Sequence, residues 1–132
     1  MAKHSLKSTF YIHNKLISTS SITSLISENN IFLLIAEAET KYPYAVITRT
    51  RINSTNDNKD FNTDEIGFNI RIWSDKYDEA VEIADAMRAA LEGRVIETDD
   101  NEIIDSITLT SSSESWTGDA YLESIDFTAE IY

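Results

Sequence analysis

Residues 65–93 leave this chain few choices, because a one-sided strand runs into an amphipathic helix with almost no connection between them. In Glu65-Ile66-Gly67-Phe68-Asn69-Ile70-Arg71-Ile72-Trp73 the apolar residues Ile66, Phe68, Ile70 and Ile72 occupy every second position. That is the period of a strand with one buried face. Ser74 and Asp75 follow, with side-chain oxygens that can accept N–H groups of a first helical turn, and Asp78 and Glu79 add negative charge where the helix dipole favours it. The spacing predicts a helix over 75–92. Its stripe is read as Tyr77, Ala80, Val81, Ala84, Met87, Arg88 and Leu91, with Gly93 as a left-handed stop. The alanines at 80, 84 and 90 let the helix axis come close to a sheet.

The flanking segments are weaker versions of the same two patterns. Leu6, Phe10, His13 and Ile17 mark one side of an amphipathic N-terminal helix over 5–17, with Leu16 beside them. The serine-rich break 18–21 ends it and is expected to cap a short second turn carrying Ile22, Leu25 and Ile26. The run 31–35 is continuously apolar, and periodicity leaves a buried strand and a packed connection equally open. Residues 44–52 are rich in β-branched side chains and read as a strand. Residues 103–110 alternate through Ile103, Ile107 and Leu109, and 120–131 place Tyr121, Glu123, Ile125, Phe127, Ala129 and Ile131 on one face. The expected fold is α+β, a mainly antiparallel sheet covered on one face by a main helix and an N-terminal helix, in a single domain spanning 1–132. Residues 53–63 and 111–119 are polar and are expected to project between strands, the first as a long mobile loop. Each carries one large aromatic in polar surroundings, Phe61 and Trp116, and these two are the interface candidates.

Composition removes most kinds of chemistry. A formal charge of -12, from 23 acidic and 11 basic residues, argues against a duplex-binding surface, and Arg49, Arg51 and Arg71 are too few to reverse that. With no cysteine there is neither a disulfide nor a thiolate metal site. Glycines stand only at 67, 93 and 118, so no phosphate-cradling loop exists. His4 and His13 are the only histidines, and His13 reads as a packed structural side chain. The adjacent pairs Asp64-Glu65, Asp78-Glu79 and Asp99-Asp100 read as a solvated face, and the acidic turn 98–102 as facing solvent. Residues 53–63 lack the ligand order of a calcium loop. No catalytic residue, metal ligand or cofactor site is expected. No apolar run approaches the length of a signal core or membrane span. A binding or assembly role remains.

The segment Ile70-Arg71-Ile72-Trp73-Ser74-Asp75-Lys76-Tyr77-Asp78-Glu79-Ala80, with Ile83-Ala84-Asp85-Ala86-Met87-Arg88 and Leu91-Glu92-Gly93, resembles the tail-completion proteins of long-tailed bacteriophages. In that family a strand ends in Trp-Ser, a helix opens with Tyr-x-Glu-Ala, an Ala-Asp pair comes one turn on, and Leu-x-Gly closes it. The matching residues here are Trp73, Ser74, Tyr77, Glu79, Ala80, Ala84, Asp85, Leu91 and Gly93. Upstream, Tyr42-Pro43-Tyr44-Ala45-Val46-Ile47 resembles the family's Pro-Tyr-x-Val strand. The run 31–39, where the family often has glycines, and the Asn-rich stretch 53–63 depart from the pattern.

The resemblance implies a non-enzymatic head-tail joining or tail-terminator protein of the virion neck. Such a protein is made in the host cytoplasm and assembles as a homo-oligomeric ring, commonly a hexamer. Its implied partners are the tail tube protein and a neck or connector protein, with no cofactor, no membrane and no sequence-specific nucleic acid. The alternatives are a small ligand-binding module or enzyme of a bacterial host, and a component of a cellular contractile injection system. Flanking capsid, connector and tube genes discriminate the first of these.

Overall fold

The computed structural model describes residues 3–58 and 61–132, with side chains described outside 55–62. Strands β1 (Ile31–Leu33), β2 (Tyr44–Asn58), β3 (Phe61–Ser74), β4 (Ile96–Glu97), β5 (Ile103–Trp116) and β6 (Tyr121–Ile131) form one sheet in the order β1-β2-β3-β6-β5-β4. The helices are α1 (Ser8–Ile17), α2 (Ser20–Thr23) and α3 (Tyr77–Leu91). The fold is α+β as expected, but the sheet is mixed and not purely antiparallel, because β1 runs parallel to β2 while every other pairing is antiparallel. The chain leaves β1 at Leu34, with φ of 70°, and crosses back through 35–43 to start β2 in the same direction. A tight hairpin turn would have forced the opposite sense.

The expected register holds. Ile66, Phe68, Ile70 and Ile72 are buried, on the same face as Ala45 and Ile47 of β2 and Ile125, Phe127 and Ala129 of β6. Phe68 and Phe127 are directly paired and stack with centroids 5.1 Å apart.

The helix α3 covers this face, starting two residues later than expected. Its N-terminus is organised by Ser74, whose buried hydroxyl accepts the Lys76 N–H at 3.0 Å and donates to the Glu79 carboxylate at 2.7 Å. Its buried residues are Ala80, Ile83, Ala84, Met87, Ala90 and Leu91. The stripe is therefore rotated from the expected one, with Tyr77, Val81 and Arg88 exposed. Ile83 and Ala90 complete an unbroken three-and-four spacing, and Val81 and Arg88 fall outside it. Gly93 has φ of 73°, and its N–H bonds to the Ile107 carbonyl at 3.0 Å, so the helix stops where expected.

The first helix differs more. Ser8, Ile12 and Leu16 are its buried residues, while Leu6 and Phe10 face outward. Small residues decide this: Ser5 and Ser8 let the first turns sit close to the sheet, and Ser5 Oγ donates to the buried Asp64 at 2.5 Å. His13 is half-buried, with Nε2 2.8 Å from the Ile31 carbonyl oxygen, a structural contact as expected. The serine-rich break ends the first helix as expected but does not cap the second. Thr19 Oγ1 and Ser18 Oγ donate to the Lys15 carbonyl at 2.6 and 3.1 Å, closing α1, and α2 begins without a side-chain cap.

Both polar projections are largely strand. The expected loop 53–63 is occupied by β2 up to Asn58 and β3 from Phe61, with Thr55 opposite Thr63 and Asn58 opposite Phe61. Residues 111–116 continue β5 and reverse through Thr117, whose N–H bonds to the Ala120 carbonyl at 2.9 Å, with Gly118 at φ of 101°. Strands polar on both faces carry no period-two signal, yet their backbone ladders form all the same.

The acidic pairs are not simply solvated. Asp64 also accepts from Ser54 Oγ at 2.7 Å, and Glu65 pairs with Arg51 at 2.8 Å. In the acidic turn, Glu102 bonds the His4 N–H at 3.0 Å, and Asp100 accepts from Tyr11 Oη at 3.0 Å and pairs with Lys7 at 3.7 Å. The turn is a dock for the N-terminal helix. Among the described residues, no helix is long and apolar enough to cross a membrane.

Candidate functional site

Only Asp75 and Lys76 separate β3 from α3, and Ser74 is the cross-strand partner of Tyr121. The first residue of α3 is thereby delivered to the end of the sheet where β5 turns into β6. Across that hairpin Trp116 pairs with Tyr121 and Glu114 with Glu123, two positions apart on each strand and so on the same face. The result is a cluster of three rings and two carboxyl groups. Tyr121 lies 4.8 Å from Trp116, tilted at 57°, and 5.5 Å from Tyr77, edge-on at 73°. Tyr77 Oη donates to Glu114, at 3.0 and 3.3 Å from its two oxygens. These residues and Ser115 line a cavity of about 230 Å³ open to solvent.

The electrostatics follow from the placement. Glu123 is only 8% exposed, and burial, then the hydrogen bond and like charge of Glu114, push its carboxyl up to about 7. Two carboxyls directly opposite on a strand pair cannot both ionise cheaply, so Glu123 keeps its proton until the pH approaches 7. The Tyr77 phenol is raised as well, first by its hydrogen bond to Glu114 and then by that charge. Chemically this is a site for a donor or a cation.

Trp116 stands at this site, 57% exposed with its ring against Tyr121. Phe61's side chain lies outside the described residues. Its backbone pairs with Asn58 at the opposite end of the sheet, so the two interface candidates are not brought together. Tyr77, Glu114, Tyr121 and Glu123 were not singled out from the sequence as a site. The one available signal was Glu123, a carboxylate on an otherwise apolar strand face.

Two other groupings complete the surface. On the sheet face away from the helices, Tyr42 stacks on Tyr44 at 5.7 Å, Tyr44 on Trp73 at 4.9 Å, and the Arg71 guanidinium sits 5.3 Å from the Trp73 ring centre. His4, Asp100 and Glu102 offer donor atoms within 4.8 Å of one another, but all three are engaged in docking the N-terminus. The motif residues behind the family resemblance are mainly structural, Tyr77 being the one that lines this cavity. Trp73 pairs with Tyr44, Ser74 and Glu79 set the helix start, Leu91 is core, and Gly93 ends the helix.

Fold and site together define an α+β protein with an acidic, aromatic-lined cavity at one end of its sheet. The family described as Tail completion protein gp17 matches residues 11–132, and the chain belongs to that family of structural phage tail proteins. Among solved structures, a chain of "Virion of native gene transfer agent (GTA) particle" is similar at a TM-score of 0.72 and 13% identity, covering 91% of this chain and 90% of that one. A second solved chain is similar at a TM-score of 0.63 and 10% identity, with coverage of 94% and 95%. At such identities the likeness is one of fold. A comparison with curated protein sequences finds no significant match.

Proposed function

We propose that this chain is a non-enzymatic ring subunit that completes the tail at the head-tail neck of a phage or prophage particle. In this role residues 1–132 act as one domain, made in the host cytoplasm and incorporated into the virion. Six copies form the ring, which caps the tail tube protein on one side and meets a neck or connector protein on the other. Membership of the tail completion family carries the proposal. The fold shared with a chain of a gene transfer agent virion supports it.

The surface supports assembly. Leu6, Phe10, Leu34 and Ile35 are between 57% and 76% exposed, four large apolar side chains that a neighbouring subunit would cover. The β2 edge beyond the three-residue β1 and the β5 edge beyond the two-residue β4 have no strand beside them among the described residues. Long open edges are what a neighbouring subunit covers.

Light scattering of the purified protein with negative-stain imaging tests the ring directly. Ring particles at high concentration or on tail-tube ends are expected, and a protein that stays monomeric on both counts rules the proposal out. Phe61 and Trp116 are assigned to the ring's contacts. Replacing both with Ser is expected to leave the melting transition in place and lower the ring population, and an unchanged population would remove them from the interface.

A further inference from the structure

We infer that the cavity between α3 and the β5–β6 turn is a socket for an arginine side chain of a neighbouring protein subunit. It deepens the assembly reading and rests on it for the source of that side chain, not for the chemistry of the socket.

The socket combines what a guanidinium group needs. Two carboxyl groups, Glu114 and Glu123, stand opposite each other on adjacent strands, and the rings of Trp116, Tyr121 and Tyr77 supply flat apolar surface beside them. A planar cation stacks on such rings while its fork of N–H donors pairs with carboxylates. A cavity of about 230 Å³ has room for the head of one such side chain. Glu123 is the decisive group. It is more than nine-tenths buried and lines the cavity, and no described ion pair reaches it, its neighbour being the carboxyl of Glu114. Of the other ionisable groups, Tyr77 and Tyr121 line the cavity, Asp78 is close enough to act on Tyr77, and Asp75, Lys76 and Glu79 stand at the same end of α3. Asp78 adds negative charge that is felt at Tyr77.

An incoming arginine replaces the proton held on Glu123. Binding therefore releases a proton wherever Glu123 is protonated in the free protein, and affinity rises with pH until that carboxyl is ionised, near 7. A cation is thus the occupant that relieves this site, whereas a neutral side chain leaves the carboxyl pair as it was.

The test titrates the full chain with Nα-acetylarginine amide and with its uncharged isostere Nα-acetylcitrulline amide, following amide shifts by NMR. Shifts are expected at Tyr77, Glu114–Trp116 and Tyr121–Glu123 with the arginine probe only. Binding should strengthen between about pH 6 and about pH 8, and weaken about tenfold in E114Q and E123Q. Equal binding of the citrulline probe, shifts located elsewhere, or unchanged affinity in both Gln variants overturns the socket. A second arm images wild type and E123Q under conditions that give rings. Loss of rings in E123Q with an intact melting transition supports the subunit as source, and undiminished rings overturn that source. If wild type gives no rings while the arginine probe binds, the ring fails and the socket stands.

Discussion

Glu123 sits on an apolar strand face because its neighbours across the sheet and along the strand, Ile72, Ile125 and Phe127, leave it nowhere else to point. Its raised pKa has a definite sign for stability. Unfolded, the carboxyl titrates near the ordinary value of 4.5, and folded it holds its proton to about 7. The stabilisation from this proton is fully present below about 4.5 and is lost as pH rises through about 7. E123Q keeps the neutral shape, so its melting temperature is expected to gain on that of wild type between about pH 5 and about pH 8. A constant difference across that range would show that Glu123 does not titrate as described. Ser74 is the second informative residue, since one buried hydroxyl serves both the Lys76 N–H and Glu79. Ser74→Ala should cost about 1–2 kcal/mol in denaturant unfolding. A loss within about 0.3 kcal/mol would show that water replaces both bonds.

Elements with one buried face were legible, and elements without one were not. The strand carrying Ile66 to Ile72 and the helix behind it were visible because hydrophobic period and secondary structure agree there. The outer halves of β2 and β5 are polar on both sides, so nothing in their pattern separated strand from loop. In α1 the pattern pointed to Leu6, Phe10, His13 and Ile17, and the sheet selected Ser8, Ile12 and Leu16 instead, leaving Leu6 and Phe10 in solvent. Close approach of α3 to the sheet depends on Ala80, which is fully buried. Ala80→Asp places a charge where no partner reaches it, at several kcal/mol, and is expected to abolish the cooperative melting transition seen by circular dichroism. A normal transition in this variant would mean that the helix can lift from the sheet.

For the molecule as a whole, charge sets the conditions of assembly. A ring through which DNA slides is served by an acidic lining, because each basic contact to phosphate adds an attraction that holds the duplex in place. In the proposed ring, a net charge of -12 per chain suits such a lining and also makes neighbouring copies repel. Ring content measured by sedimentation or light scattering is therefore expected to rise as salt goes from low ionic strength to about 0.1 M, where the screening length is about 10 Å. A steady fall over that range would mean that ion pairs between subunits, the arginine contact at Glu114 and Glu123 among them, outweigh this repulsion.

The amino-acid sequence by itself determined the α+β class, the register of the central strand, the end of α3 at Gly93 and the family, because each is written in local spacing or in a short motif. The candidate site was not written that way. Glu114 and Glu123 are nine positions apart, neither belongs to an adjacent carboxylate pair, and Tyr77 is far from both in the chain. Their meeting required the β5–β6 register and the two-residue link that lands α3 on the same end of the sheet. The parallel pairing of β1, the extension of both polar hairpins and the docking of the N-terminus by Asp100 and Glu102 were likewise decided by tertiary structure. Backbone ladders and buried polar partners form between distant residues, and one-dimensional periodicity carries no record of them.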